Sequence, residues 1–235
     1  MVHIGIIPDG NRRWLKKNNM ELKNAVSIWT SKMLELLLKI LDNKNLKDKK
    51  YKKLKKINEV SLYICSIDNL NRNDDTIKYI LEFLENLYNL IFKKRSDIYD
   101  LNDIQYKKIE YYLSNININV IGEIELFPKK TQEILKDIKR TNQNNKFTLN
   151  LAIGYDYNND LKNYKDNDLV NYDRNQSNID ILFRSGGEKR VSGFFPTKIL
   201  YSELFFYNKL WPDITIDDIN KVIKKFLKRD RRFGK

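Results

Sequence analysis

Short, largely apolar runs alternate along this chain with longer segments whose apolar residues recur at helical spacing. Such runs are typical of strands that are buried on both faces of a parallel sheet. A spacing of three and four residues between apolar positions is typical of helices with one buried face. The alternation therefore predicts an α/β fold with a central, mostly parallel β-sheet flanked by helices. The predicted strands are 2–7, 60–65, 116–121, 147–153 and 179–183.

The segments between these runs predict the helices and the extent of the domain. Polar stretches at 42–58 and 155–178 predict loops, the second with room for only a marginal helix. No internal repeat and no proline-rich linker divides the chain, so we expect a single domain over residues 1–235. The apolar spacing predicts helices at 14–41, 74–91, 128–141 and 216–227.

Composition excludes several classes of protein. With one cysteine, Cys65, and one histidine, His3, the chain can form neither an internal disulfide nor a zinc site built on Cys and His clusters. No apolar run approaches the roughly 18 residues that a membrane span needs, and the first residues do not resemble a signal peptide. We therefore expect a cytoplasmic protein that is soluble or associates peripherally with a membrane.

The charge balance calls for a negatively charged partner. Lys and Arg number 44 against 31 Asp and Glu, a formal net charge of +13. Nucleic acid, an anionic membrane surface or a phosphorylated small molecule would each suit this charge. Many of the excess lysines lie at 44–56, where a solvated insertion is the simpler interpretation. Nucleic-acid modules interleave lysines with arginines and aromatic rings; this segment has only Tyr51, so the sequence argues against nucleic acid as the partner.

Arginines, glycines, amides and carboxylates follow three of the predicted strands, at 8–14, 66–72 and 184–193. Ligands of parallel sheets collect beyond the carboxyl ends of the strands, so we expect these residues to meet. Arginine forks and closely approaching backbone are what a diphosphate requires. Asp9 would repel a phosphate unless a divalent cation lay between them, which predicts Mg²⁺ at this site. Taken alone, Asp-Gly-Asn is a common turn, and no Walker or dinucleotide-binding signature is present.

Together, these motifs resemble those of the cis-prenyltransferases, the family that includes undecaprenyl diphosphate synthases. Residues 3–14 (HIGIIPDGNRRW) are similar to the first family motif, and residues 62–72 (LYICSIDNLNR) resemble the second in an altered form. Residues 180–213 are similar almost throughout, and the RFG at 232–234 matches the closing motif. The resemblance covers essentially the whole chain. It implies the cis-prenyltransferase fold, with a hydrophobic tunnel.

The resemblance also implies an activity and a role for each motif residue. The activity is condensation of isopentenyl diphosphate with an allylic diphosphate, which forms a cis double bond and releases pyrophosphate, in a homodimer that uses Mg²⁺. Asp9 and Glu203 would bind the metal, and Asp9, Asn69 and Arg72 would act near the reacting carbons. The allylic diphosphate would be held by Gly10, Asn11, Arg12, Arg13 and Trp14. Isopentenyl diphosphate would be held by Arg184, Arg190 and Ser192, aided by Arg232 and Gly234 of a second subunit.

Departures from the family pattern leave an alternative open. Between residues 20 and 27 the family usually has an arginine and then a Gly-His pair, and this chain has neither. Lys23 offers a point charge in their place but lacks the guanidinium fork. A non-catalytic partner subunit that keeps the fold is therefore the alternative to an active enzyme.

The resemblance also bears on the product. A carbocation-like chain needs a dry apolar tunnel, because water would capture it. The apolar helix faces at 26–40 and 77–91 are expected to wall that tunnel. Bulky Ile64, Leu84 and Tyr88 suggest a product of short or medium length. Contact with a membrane would come through this lipid product or through the lysine-rich segment.

Overall fold

The described part of the chain folds around one parallel sheet. The computed structural model describes residues 1–45, 49–72, 75–92, 103–139, 147–165 and 177–232. Six strands pair in the order β3-β4-β2-β1-β5-β6, and every neighbouring pair is parallel. This confirms the predicted single-domain α/β fold. The strands are β1 (Val2–Ile7), β2 (Ile57–Ser66), β3 (Asn117–Ile121), β4 (Thr148–Tyr155), β5 (Ile181–Arg184) and β6 (Glu203–Phe206).

Helices connect these strands and cover the sheet. Short 3₁₀ turns at Lys52–Lys56 and Trp211–Asp213 precede β2 and the last helix. None of the described helices is both long and apolar enough to cross a membrane. The α-helices are α1 (Asn11–Lys17), α2 (Ala25–Asn45), α3 (Ile67–Leu70), α4 (Thr76–Ile91), α5 (Asp103–Ser114), α6 (Lys129–Lys139), α7 (Tyr157–Lys165) and α8 (Ile216–Phe226).

Two apolar layers bury the sheet, one on each face. Successive residues of a strand point to opposite faces. Ile6 therefore enters the larger layer, which includes apolar residues of α2, α4, α5, α6 and α8, whereas Ile7 enters a smaller layer with Phe194 and Phe195. Because both faces are covered, the central strands are largely apolar, apart from the buried polar residues His3, Glu59, Ser61 and Asn150, and this is why they stand out in the sequence.

The prediction of one continuous helix at 14–41 is wrong. Helix α1 begins earlier, at Asn11, and ends at Lys17. The chain then turns, with Asn19 at a φ of 53°, a left-handed conformation that asparagine adopts more readily than most residues. Helix α2 starts at Ala25 and continues past the predicted end to Asn45. Apolar residues continue through the break, with Met20 and Leu22 between the two helices, so apolar spacing did not reveal it.

Other elements also differ from the prediction. The edge strand β6 and helix α5 were not predicted, and part of the predicted loop at 42–58 is helical. Strand β5 ends with Arg184, so this residue belongs to the strand instead of following it. Helix α6 starts after Pro128 as predicted, but its predicted end near residue 141 lies outside the described residues. The same is true of residues 166–176 in the second polar stretch.

Candidate active site

Asp9 lies in the turn between β1 and α1, beyond the carboxyl edge of the sheet. Gly10 follows with a φ of 97°, and a Cβ atom there would lie 2.7 Å from Leu210 Cδ2, so both conformation and space require glycine. The Gly10 N–H donates to Asp9 Oδ1 at 2.6 Å, and Arg13 Nη2 lies 3.3 Å from the same oxygen. Arg184 Nη2 donates to Asp9 Oδ2 at 2.8 Å. Two strand ends therefore bring together a carboxylate and two guanidinium groups, as the sequence predicted.

The surroundings of Asp9 favour its charged form. Partial burial alone would raise the pKa of Asp9. The hydrogen bond and charge of Arg184, the Gly10 N–H and the charge of Arg13 together outweigh that effect and hold the pKa below its ordinary value. Asp9 is therefore an anion at neutral pH and can bind a cation.

The guanidinium of Arg184 joins Asp9 to the loop that follows β5. Arg184 is only 5% exposed. Its Nη1 donates to the carbonyl oxygen of Arg190 and to Ser192 Oγ, the latter at 2.8 Å. Arg190 itself is exposed, and its guanidinium pairs with Glu188. The three residues predicted to hold isopentenyl diphosphate thus lie together, but only Arg184 is fixed by buried contacts.

The end of β2 contributes Asn69 and Arg72 to the same cleft. Ser66 and Asn69 cap helix α3 reciprocally: the Ser66 N–H donates to Asn69 Oδ1 at 3.0 Å, and the Asn69 N–H donates to Ser66 Oγ at 3.2 Å. This capping box fixes the orientation of the Asn69 side chain. Arg72 lies exposed at the rim of the cleft.

A cleft of about 690 Å³ joins these polar strand ends to an apolar arm. The arm lies between α2, β2 and α4, so both helix faces predicted as walls do line it. Of the three residues predicted to limit product length, Ile64 lines the arm, whereas Leu84 is buried in the larger core layer and Tyr88 packs against Phe92 with the two rings tilted. The apolar lining includes Trp29, Met33, Leu62, Ile64, Ile80 and Phe83.

Glu203 does not join Asp9 in one chain. Its position at the start of β6 is level with Ile181 and, through β5, with Ile4. Strand β1 continues three residues beyond Ile4, so Glu203 lies about 10 Å short of the carboxyl edge. Its carboxylate instead lies 3.5 Å from Arg229 Nε. The predicted metal site shared by Asp9 and Glu203 is therefore not formed within one chain.

Asn11 and Arg12 also line the cleft, whereas the other predicted residues lie away from it or outside the described residues. Trp14 does not line the cleft, and its indole N–H donates to Asp213 Oδ1 at 2.7 Å. Arg232 is exposed beside the amino ends of β5 and β6, because Arg231 before it donates to Asp180 Oδ1 and to the Tyr201 carbonyl. Arg232 is thus at the edge of the sheet opposite the cleft of its own chain. Gly234 lies outside the described residues.

Several residues of the cleft had no predicted role. Asp68 and Glu188 line it, and both follow a strand end within a motif, which was the available signal. Trp211 also lines it, and the backbone N–H of Trp211 donates to the Asp9 carbonyl at 3.0 Å. Lys23, the possible substitute for the missing family arginine, forms an exposed ion pair with Glu21 at 2.8 Å.

The donor groups of the cleft suit a metal that is bound jointly with substrate. Among the residues that the structure describes, no group of three or more His, Cys, Asp and Glu could hold a metal by itself. Mg²⁺ is commonly held by one or two carboxylates together with waters and substrate phosphate oxygens. Asp9, a charged carboxylate at the mouth of an arginine-lined cleft, fits this mode of binding.

Comparison with known proteins identifies the family. The family model of undecaprenyl diphosphate synthase matches residues 7–234, nearly the entire chain. The chain belongs to the undecaprenyl diphosphate synthase family. It is accordingly a prenyltransferase, and the resemblance seen in its motifs is confirmed.

Individual relatives extend this finding. An isoprenyl transferase of Rickettsia typhi is 29% identical over 248 residues, covering 99% of this chain and 97% of the relative. A tritrans,polycis-undecaprenyl-diphosphate synthase (geranylgeranyl-diphosphate specific) of Sulfurisphaera tokodaii is 30% identical over 253 residues, covering 99% and 87%. The crystal structure of lavandulyl diphosphate synthase from Lavandula x intermedia, in complex with dimethylallyl diphosphate, superposes with a TM-score of 0.74 over 99% of this chain and 98% of that one. At 19% identity, this last likeness shows the fold alone.

Proposed function

We propose that the protein condenses isopentenyl diphosphate with an allylic diphosphate, using Mg²⁺, to form a prenyl or polyprenyl diphosphate with a cis double bond. The observation that carries this proposal is the cleft, which has a carboxylate and guanidinium groups at its mouth and apolar walls beyond. Such a site matches a molecule with a charged head and an apolar tail. A non-catalytic partner subunit would have no chemical need for Asp9, Arg13, Arg184 and Arg190 together, so the geometry favours an active enzyme.

In this reaction the C1–O bond of the allylic diphosphate breaks, and pyrophosphate leaves with the bonding electrons. The double bond of isopentenyl diphosphate attacks C1, and loss of a proton from its C2 forms the new double bond. Negative charge grows on the leaving group, where Gly10, Asn11, Arg12 and Arg13 would bind it. Mg²⁺ held by Asp9 and diphosphate oxygens would neutralise part of that charge when bound.

The other substrate would lie against the second half of the cleft. Arg184, Arg190 and Ser192 would bind the diphosphate of isopentenyl diphosphate and orient its double bond. Asn69, fixed by its capping box, and Arg72 at the rim would lie near the reacting carbons and assist removal of the proton. The apolar arm would accept the growing chain and exclude water.

The test is a direct assay of the purified protein with labelled isopentenyl diphosphate, allylic starters of several lengths and Mg²⁺. We expect extractable labelled lipid whose new double bond is cis by NMR, and loss of product when Mg²⁺ is chelated. Asp9→Asn is expected to lower kcat by about 10³-fold or more. Asp213→Asn is the matched control, because Asp213 accepts a hydrogen bond from Trp14 outside the cleft. Absence of labelled lipid with every starter would contradict the proposal.

A homodimer would supply the residues that one chain cannot bring to its own cleft. The edge strand β6 and the turn before it expose apolar side chains, with Leu200, Tyr201 and Leu204 at 78, 67 and 48% exposure. Arg232 lies close by, since Arg231 is bound to the Tyr201 carbonyl. We therefore propose that two chains meet along this edge, so that Arg232 and Gly234 of one chain contact isopentenyl diphosphate in the other.

Mixing two inactive variants tests this arrangement. Asp9→Asn and Arg232→Ala should each be poorly active alone. Subunit exchange in an equal mixture should make half of the dimers mixed. In a mixed dimer, one of the two clefts has an intact Asp9 and receives the intact Arg232 of the other chain, so about a quarter of all sites should be active. No recovery from dimers that demonstrably exchange subunits would contradict the shared site. Leu204→Glu should yield monomers by light scattering.

We also propose that the protein contacts membranes peripherally, and an exposed surface of lysines supports this. The turn before β2 is joined to α8, because Tyr51 Oη donates to Asp217 Oδ1 at 3.0 Å and Asn220 Nδ2 donates to the Lys50 carbonyl at 3.2 Å. Clustered lysines attract anionic lipid headgroups, and a bound lipid product adds a second attachment. The exposed lysines of this surface are Lys49, Lys50, Lys52, Lys53, Lys55, Lys56, Lys221, Lys224, Lys225 and Lys228.

Vesicle sedimentation tests the lysine surface. We expect binding to vesicles that contain phosphatidylglycerol, none to neutral phosphatidylcholine vesicles, and a loss of binding as salt rises. Replacing Lys52, Lys53, Lys55 and Lys56 by Gln should weaken binding, whereas replacing Lys129, Lys130 and Lys136 of α6 should not. Equal loss in both sets, or tighter binding to RNA than to vesicles, would contradict this contact.

A further inference from the structure

One buried hydroxyl holds the backbone of Asp9 on both sides. Ser185 is fully buried. Its Oγ accepts a hydrogen bond from the Asp9 N–H at 2.9 Å and donates one to the Asp9 carbonyl at 2.8 Å. The two residues are 176 positions apart in the chain, so this contact joins the turn after β1 to the loop after β5.

The residues on either side of Ser185 also contact Asp9. Arg184 binds the carboxylate, and Gly186 lies so close that a Cβ atom there would be 3.1 Å from Asp9 Cβ and 2.8 Å from Arg13 Nη2. Gly186 has a φ of 88°, so both its conformation and the available space require glycine. Of three consecutive residues, Arg184 therefore binds the side chain of Asp9, Ser185 binds its backbone, and Gly186 packs closely beside it.

We propose that Ser185 is a positioning residue that fixes the direction in which the Asp9 carboxylate enters the cleft. This inference rests on the proposed function, since it assigns Ser185 to the reaction that Asp9 serves. Asp9 lies between Pro8 and Gly10 outside any helix or strand, so its peptide groups lack the repeated hydrogen bonding of a regular element and have one backbone partner each, Ile7 and Trp211. By holding both of them, Ser185 keeps the carboxylate aimed at the position where diphosphate and cation would bind.

The contacts also predict that removal of the hydroxyl leaves a folded protein. The Asp9 N–H retains the Ile7 carbonyl at 3.0 Å, and the Asp9 carbonyl retains the Trp211 N–H at 3.0 Å. Neither backbone group is therefore left without a partner in Ser185→Ala. What the variant loses is the restraint on their direction, and a displacement of about 1 Å in a catalytic group can lower a rate 10²-fold.

The experiment compares Ser185→Ala with Ser61→Ala. Ser61 is also buried, and its hydroxyl is bonded to His3 Nε2 and Asn150 Nδ2, but it does not line the cleft. Both variants should lower the thermal unfolding temperature. Only Ser185→Ala should lower kcat, by about 10- to 100-fold, and raise the Mg²⁺ concentration for half-maximal rate. Its KM for isopentenyl diphosphate should change less than about 3-fold, because Arg184, Arg190 and Ser192 remain.

A binding measurement provides a readout that does not depend on turnover. Calorimetry with inorganic pyrophosphate, with and without Mg²⁺, gives the gain in affinity that Mg²⁺ confers. We expect this gain to shrink in Ser185→Ala and to stay unchanged in Ser61→Ala. Ser185→Cys, whose thiol is a weaker donor of nearly the same shape, should fall between wild type and Ser185→Ala in both measurements. It also decides the matter if Ser185→Ala is too unstable to purify.

Two results would separate the possible failures. If Ser185→Ala and Ser185→Cys keep kcat and Mg²⁺ dependence within about 2-fold while stability falls as in Ser61→Ala, then Ser185 is only structural and the inference is wrong. If the wild type transfers no prenyl group, the proposed function fails, and the pyrophosphate measurement still tests whether Ser185 governs the Mg²⁺ dependence of binding.

Discussion

Arg184 and Arg190 have the same predicted role, but the structure gives them very different surroundings, and lysine substitutions should separate them. Arg184 is 5% exposed and serves Asp9, the Arg190 carbonyl and Ser192 Oγ with one planar group. The side chain of Arg190 is 63% exposed and pairs only with Glu188 in the described contacts. A lysine keeps the charge at either position but replaces the fork with a single ammonium group.

The expected loss of stability follows from the bonds that a lysine cannot make. In Arg184→Lys the ammonium can keep the ion pair with Asp9 but not both bonds to the loop. A hydrogen bond from a charged donor contributes about 1.5–3 kcal/mol, and the exposed Ser192 hydroxyl can turn to water, so we expect a net loss of about 2–3 kcal/mol. In Arg190→Lys an exposed pair is altered, and the expected change is below about 0.5 kcal/mol.

Urea unfolding, followed by circular dichroism, measures this difference. With an m value of about 2–3 kcal/mol/M, Arg184→Lys should shift the midpoint down by about 1 M and Arg190→Lys by less than about 0.2 M. Both should raise the KM for isopentenyl diphosphate, since both lose a guanidinium that would bind its diphosphate. Equal midpoints for the two variants would refute the reasoning, because the buried contacts of Arg184 would then contribute nothing to stability.

Three further predictions follow from buried groups. Burial lowers the pKa of His3 despite the opposing charge of Glu59, so the unfolded chain binds a proton near pH 6.5 that the folded chain does not. The free energy of unfolding should therefore fall as the pH drops below about 6.5, by at most about 1.4 kcal/mol per pH unit. His3→Gln should remove this dependence when urea unfolding is compared at pH 7.5 and 5.5. A His3→Gln protein with the wild-type pH profile would contradict this assignment. Phe83→Leu enlarges the apolar arm and should lengthen the lipid product by mass spectrometry, whereas Leu84→Val, outside the arm, should not; identical products would exclude Phe83 as a limit. Burial raises the pKa of Cys65 to about 12, so a thiol reagent at pH 8 should label it only after unfolding, and rapid labelling of the native protein would contradict its burial.

The parts of this site that the sequence predicted are those that follow strand ends. Asp9, Arg184 and Asn69 each follow or end a strongly apolar run, and parallel strands deliver such residues to one edge whatever the details of the connections. The apolar arm was predictable for a related reason, since the helices that wall it have long apolar faces. Local patterns were sufficient because each of these features depends on the position of one element.

The parts that the sequence did not predict depend on distant contacts. Glu203 lies in a family motif, but without the short strand β6 there was no means of knowing that it lies at the start of a strand, away from the cleft. The contact between Ser185 and Asp9 joins residues 176 positions apart and leaves no local pattern. Helix α5 was missed as well, because its apolar residues, among them buried Ile109 and Leu113, are interspersed with lysines and tyrosines.

The positions of the three tryptophans give the protein a built-in optical signal. Trp29 lies in the wall of the apolar arm and Trp211 beside Asp9, whereas Trp14 lies outside the cleft. The tail of an incoming prenyl diphosphate would change the surroundings of Trp29, its charged head those of Trp211, and Trp14 would stay as it is. With Trp14→Phe to remove the constant background, intrinsic fluorescence should follow the filling of the cavity in real time, without any label on enzyme or lipid.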